Sequence, residues 1–125
     1  MYLVDTNIFL EILLSQEKRK ICKDFLRKNQ NKLYVSDFSL HSIGVILFRL
    51  KKPEIYFDFI NDVISKIEIL SLPISDFENL NTIYKDFKLD FDDAYQASIC
   101  KFYDLEIVTL DKDFRKLKNF PVNFL

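Results

Sequence analysis

Met1-Tyr2-Leu3-Val4-Asp5-Thr6-Asn7 is a short apolar run that ends abruptly on an acid. Tyr2, Leu3 and Val4 favour a buried strand, and Asp5-Thr6-Asn7 supplies the short polar side chains that start a helix. Asp5 therefore belongs at the carboxyl edge of the strand, which is where open parallel sheets bind ligands.

Two later stretches share this character. Leu105-Glu106-Ile107-Val108-Thr109-Leu110-Asp111-Lys112-Asp113-Phe114 repeats the strand-to-acid junction, and Leu89-Asp90-Phe91-Asp92-Asp93-Ala94-Tyr95 puts carboxylates at the start of a helical stretch. Acids in a first helical turn compensate the helix dipole, which is a sufficient explanation for Asp90 and Asp92. Three acidic clusters at the edges of elements, rather than on a solvated face, still read as a site.

Between these stretches the periodicity alternates. Ile8, Phe9, Ile12 and Leu13 form a helical stripe, with Asn7 and Glu11 one turn apart on another face. A helix from near Glu17 turns Ile21, Cys22, Phe25 and Leu26 inward. Its Lys18, Arg19, Lys20, Lys23, Arg27 and Lys28 read as a solvated face in preference to an RNA-contacting patch. Leu33-Tyr34-Val35 is a strand that stops at Ser36-Asp37. Leu40, Ile43, Leu47 and Leu50 then mark a helix ending at Lys51-Lys52-Pro53, within which Gly44 permits close approach of another element.

Ile55 to Ile67 give a fourth helix with a wide apolar face, and Glu68-Ile69-Leu70 a strand. Ser75-Asp76-Phe77-Glu78 has the capping-box pattern and opens a helix through Phe87. A helix from Asp90–Asp93 to Tyr103, a strand over Glu106 to Thr109, a turn over Asp113 to Leu117 and an edge strand in Pro121-Val122-Asn123-Phe124-Leu125 complete the chain. Strands alternating with helices indicate one α/β domain over residues 1–125, with a parallel central sheet.

Composition narrows the chemistry. A chain of 125 residues that is 49% hydrophobic and 30% charged is globular, not disordered. The two cysteines, Cys22 and Cys100, fall in apolar faces and read as small buried hydrophobes, which fits the cytosol better than secretion. Asp5, Asn7 and Glu11 interrupt the first apolar stretch, which is neither a signal peptide nor a membrane span. Residues 1–52 carry ten Lys/Arg against five Asp/Glu and residues 53–125 eight against fourteen, so any contact with nucleic acid must be local.

With Gly44 as the sole glycine, a glycine-rich phosphate loop is excluded. With His41 as the sole histidine, neither a zinc site of His and Cys nor a Ser-His-Asp triad is supported; His41 reads as a satisfied structural histidine. Gathered carboxylates repel one another unless cations join them, and hard, oxygen-preferring Mg²⁺ or Mn²⁺ is the natural occupant.

Asp5-Thr6-Asn7 after a hydrophobic strand, Asp93-Ala94 opening a helix, and Val108-Thr109-Leu110-Asp111-Lys112-Asp113-Phe114 together resemble a PIN domain, as in the VapC toxins of type II toxin–antitoxin pairs. Each motif alone is weak; the order and spacing over essentially the whole chain make the resemblance specific. It implies a Rossmann-like, three-layer domain and a cytoplasmic, metal-dependent endoribonuclease acting on RNA. It further implies Asp5, Asp93 and Asp111 as catalytic metal ligands for Mg²⁺ or Mn²⁺. Asn7, Thr109 and Asp113 match supporting positions. A protein antitoxin is the implied partner, and homodimerisation is left open.

One position departs from the family pattern. A glutamate is usual in the first turns of the helix after the second strand, and Ser42 stands there. A hydroxyl supplies no negative charge, so Glu11 or Asp37 is the candidate replacement, with Glu11 favoured because it shares a helix face with Asn7. The rival reading is a catalytically weak or inactive PIN-like interaction module. A third, a phosphoryl-accepting receiver, also gathers acids at strand ends but lacks a suitably placed lysine after a strand near the carboxyl end.

Overall fold

A computed structural model describes all 125 residues. Five strands, β1 (Tyr2–Val4), β2 (Leu33–Ser36), β3 (Glu68–Leu70), β4 (Glu106–Thr109) and β5 (Val122–Phe124), form one sheet in the order β3-β2-β1-β4-β5. Every neighbouring pair is parallel. The chain steps outward from β1 to β3 on one side, then returns beside β1 and continues to β5. The order thus reverses between β1 and β4, and the ligand crevice of such a sheet lies at their carboxyl ends.

Six α-helices connect the strands: α1 (Thr6–Leu13), α2 (Arg19–Lys28), α3 (Asp37–Arg49), α4 (Pro53–Asp62), α5 (Glu78–Phe87) and α6 (Phe91–Tyr103). Strand residues alternate between faces, and the core divides accordingly. Leu3 and Ile107 join α5 and α6 residues such as Leu80, Ile83 and Ile99. Val4 and Val108 join Ile8 and Phe9 of α1, Cys22 of α2, Ile43 and Leu47 of α3, and Phe59 of α4. The result is a three-layer sandwich, and no helix is long and apolar enough to cross a membrane.

Several elements fall where the sequence places them, including β3, β4 and the edge strand β5. Gly44 admits α4 closely: a Cβ there would lie 3.2 Å from the Tyr56 ring. Cys22 and Cys100 are both buried free thiols, and burial pushes both up, Cys22 to about 11. The basic residues of α2 are solvated as expected, although Ile21, expected inward, is also exposed.

Two local expectations fail. The fourth helix ends at Asp62, and a 3₁₀ turn over Ile64–Lys66 carries the chain into β3. The capping box does not form: Ile74–Asp76 is a 3₁₀ turn, α5 begins at Glu78 without a side-chain cap, and the Asp76 carboxylate accepts from the Asn79 amide instead. The apolar Phe77 and Leu72 sink into the core beside Tyr95, and that packing sets the entry into α5 in place of a cap.

Candidate metal centre

Asp5 ends β1 and caps α1, with its backbone N–H donating to the Val108 carbonyl of the adjacent strand at 3.0 Å. Its carboxylate is buried at 6% exposure and fully engaged. Oδ1 accepts from the Thr6 N–H at 2.8 Å and the Gln96 amide at 3.3 Å; Oδ2 accepts from the Thr109 hydroxyl at 2.7 Å and the Asn7 amide at 3.1 Å. These four bonds occupy the acceptor capacity of a carboxylate. Burial raises the pKa of Asp5, the bonds from Thr109, Gln96 and Thr6 oppose that rise, and the charge of Asp111 adds to it.

Asn7 and Thr109 tie β1 to β4. The Asn7 amide reaches the Thr109 hydroxyl at 3.3 Å, and its carbonyl oxygen accepts from the Leu110 N–H at 3.1 Å. The Thr109 hydroxyl, fully buried, also accepts from the Asp111 N–H at 2.9 Å. Asp111 then opens a 3₁₀ turn over Lys112–Lys116, accepting from the Asp113 N–H at 2.9 Å. One hydroxyl thereby fixes Asp5 directly and Asp111 through its backbone.

Asp93 lies in the first turn of α6, and Asp5, Asp93 and Asp111 line one cleft of about 140 Å³ with Thr6, Asn7, Phe38, Ser42, Asp92 and Gln96. The carboxylates that come within 4.8 Å of one another are those of Asp93, Asp111 and Asp113. Asp5 is not in that group of three, but it lines the same cleft beside Asp93 and Asp111, and Asp113 adds a fourth carboxylate near them.

Asp93 carries the clearest electrostatic mark. Burial first, then the charges of Asp92, Asp111, Asp5 and Asp113, push its carboxyl up to about 7. No cationic side chain answers this charge: the sole ion pair of the protein joins Arg27 to Asp24. Three carboxylate oxygens spaced within 4.8 Å fit a cation that each contacts at about 2.0–2.6 Å, and an all-oxygen set suits Mg²⁺, Mn²⁺ or Ca²⁺.

Glu11 is a correction. Its carboxylate accepts from the Lys18 N–H at 2.7 Å, fastening the link between α1 and α2, and it does not line the cleft. Asp37 is not in the cleft either: its Oδ1 accepts from the Phe38 N–H and the Tyr95 hydroxyl, while Ser36 caps α3 through the Ser39 N–H. Ser42 does line the cleft, where its hydroxyl is the sole group it offers. His41 is exposed and makes no hydrogen bond, contrary to the reading of a satisfied histidine.

Sequence reading missed Gln96. Its amide donates to Asp5 Oδ1 and, at 2.9 Å, to the Ser39 hydroxyl, which also receives the Thr6 hydroxyl at 2.9 Å. Its carbonyl oxygen is buried without a partner. The available signal was its spacing three residues after Asp93, on the same helix face, amid small and apolar residues.

The PIN domain family model matches residues 2–119. No curated protein matches the chain by sequence. Among solved structures, VapBC2 from Rickettsia felis bound to a promoter DNA fragment is similar with a TM-score of 0.83 at 15% identity, over 98% of this chain and 97% of that one. A toxin–antitoxin complex from Klebsiella pneumoniae gives 0.78 at 20%, covering 98% and 95%. Mycobacterium tuberculosis VapC20, a sarcin-ricin loop cleaving toxin, gives 0.76 at 10%, covering 96% of each chain. With the strand-end acids on the same sheet edge and the family model spanning nearly its full length, the chain belongs to the PIN domain family.

Proposed function

We propose that the protein is a metal-dependent endoribonuclease and the toxin of a type II toxin–antitoxin pair. The observation that carries this reading is the group of Asp93, Asp111 and Asp113 carboxylates, within 4.8 Å of one another, beside the buried Asp5 and with no cationic side chain paired to them. A Mg²⁺ or Mn²⁺ ion held there would supply Lewis-acid polarisation of a phosphodiester and activation of water.

The chain's own residues set the stage for that chemistry. Asp93, Asp111 and Asp113 would hold the cation, beside Asp5 in the same cleft. Asp5, held by four hydrogen bonds, forms a fixed negative wall that cannot swing away. Asn7 and Thr109 lock the two strand ends whose separation sets the spacing of Asp5 and Asp111. Ser42 offers a hydroxyl that can orient a water or a phosphate oxygen where a carboxylate is usual in the family. The solved toxin–antitoxin complexes that share this fold support an antitoxin partner, and a guanidinium or ammonium group is the chemistry by which such a partner would close an acidic cleft.

The test is cleavage of single-stranded or looped RNA by purified protein. Cleavage that requires Mg²⁺ or Mn²⁺, falls with rising salt and disappears in Asp93→Asn supports the reading. Full cleavage in excess chelator contradicts it. A second reading, an interaction module that keeps the fold without the activity, is favoured by Ser42 alone, and metal binding without any RNA cleavage would select it.

A further inference from the structure

A second concavity of about 300 Å³ lies next to the acid cleft, lined by Asp37, Phe38, His41, Phe91 and Tyr95. Phe38 lines both, so the two spaces adjoin at this residue. Phe91 is the first residue of α6, two positions before Asp93, and the residue is 61% exposed. It stacks on Tyr95 with centroids 6.1 Å apart and planes 21° from parallel, and Phe38 packs on Tyr95 at 6.2 Å.

Tyr95 is anchored at its far end. Its hydroxyl accepts from the Leu72 N–H at 3.1 Å and donates to Asp37 Oδ1 at 2.8 Å. The Tyr95 ring is therefore held in place, and Phe91, stacked on it, is largely exposed to solvent. Around it stand two polar groups with capacity to spare: Asp37 Oδ2, which has no hydrogen-bond partner, and the His41 imidazole, which has none either. An exposed aromatic face backed by an anchored ring and flanked by an acceptor, beside a cleft suited to a phosphate-binding cation, matches the chemistry of an unpaired base next to its phosphodiester.

We propose that this concavity is a nucleobase subsite, which takes an unpaired purine, guanine in preference, from the RNA strand whose phosphate lies at the acid cleft. The subsite rests on the ribonuclease reading for its place in the reaction, though not for its capacity to bind a base. Phe91 supplies the stacking face, for which a purine offers more area than a pyrimidine. Asp37 accepts from the base edge; guanine presents two adjacent donors there, N1–H and the N2 amino group, whereas uracil presents one. The subsite makes Phe91 and Asp37 specificity-determining residues and leaves cation binding to the aspartates of the cleft.

His41, the sole histidine, provides a single imidazole Cε1–H signal in proton NMR spectra, inside the proposed subsite. Ribonucleosides carry no phosphate, so a metal-free acid cleft does not repel them. Titration with guanosine, adenosine, cytidine and uridine should move that signal saturably, most tightly for guanosine and most weakly for uridine. Phe91→Ala, a change at a largely exposed ring, should weaken guanosine by roughly tenfold, within the range of one base–aromatic stack. Asp37→Asn should level the order among the bases. No saturable shift with any nucleoside, or an unchanged titration in Phe91→Ala, overturns the subsite.

A second arm uses cleavage of a randomised oligoribonucleotide with Mg²⁺. Phe91→Ala should raise KM, keep kcat and flatten the base preference at one position beside the cut. An unchanged preference overturns the subsite while leaving the ribonuclease reading standing. Nucleoside binding that depends on Phe91, in a protein that cleaves nothing, supports the subsite and removes the ribonuclease reading.

Discussion

The Thr109 hydroxyl donates to Asp5 Oδ2 at 2.7 Å across the β1–β4 boundary and accepts from the Asp111 N–H at 2.9 Å. Two acids that begin in separate strands are thus positioned by one buried oxygen. Thr109→Val keeps the shape and removes both of these bonds together with the one from the Asn7 amide. It should cost about 1–3 kcal/mol in denaturant unfolding, since Asp5 and the Asp111 amide each lose a buried partner, and it should weaken Mn²⁺ binding. Thr109→Ser should restore all three; a valine variant with wild-type metal affinity would show that the bonds are structural alone.

Gln96 faces Asp5 at 3.3 Å within the core. Gln96→Glu replaces a donor by a second buried carboxylate at almost no change in volume. The variant should be destabilised by about 3 kcal/mol or more at pH 8 and recover much of this near pH 5, where one of the pair is protonated. Unfolding curves at the two pH values check this, and a pH-independent loss would point to packing instead.

Asp93 sets the pH dependence of the metal-free protein. Its carboxyl is raised from 3.8 to about 7 by burial and by its acidic neighbours. Between those values the folded state binds the extra proton, so stability falls as pH rises from about 4 to about 7 and levels off above. Asp93→Asn should flatten this slope, and in metal-free buffer at pH 8 the variant should melt above the wild type. Because a cation displaces the proton, metal affinity in the wild type should drop below about pH 7. Thermal melts across pH, with and without Mn²⁺, measure both effects.

Glu11 belongs to the scaffold. Its carboxylate accepts from the Lys18 N–H at 2.7 Å, and Glu11→Ala should cost about 1 kcal/mol while leaving metal affinity and cleavage unchanged. A drop in metal affinity would return Glu11 to the site.

Much of this architecture was legible in the sequence because local chemistry and tertiary packing agree. Tyr2-Leu3-Val4 before Asp5 favours a strand meeting a capped helix, and Glu106 to Thr109 repeats the strand-to-acid pattern. The acids of the last two motifs likewise reach one cleft. What stayed hidden depends on contacts between distant residues. The Asn7–Glu11 spacing gives a shared helix face but not the Lys18 amide that claims Glu11. Nor does any local pattern reveal that four donors from Thr6, Asn7, Gln96 and Thr109 fix the Asp5 carboxylate, or that Asp113 comes within reach of Asp93 and Asp111. The capping-box pattern at Ser75 failed for a related reason, since packing of Phe77 against Tyr95 outweighs a cap of about 1 kcal/mol.

Anomalous scattering from a crystal soaked in Mn²⁺ tests the metal centre most directly. A peak within coordination distance of the Asp93, Asp111 and Asp113 carboxylates, absent in Asp93→Asn, is the predicted result. A cleft that stays empty at saturating Mn²⁺, or a peak bound elsewhere on the protein, would contradict it.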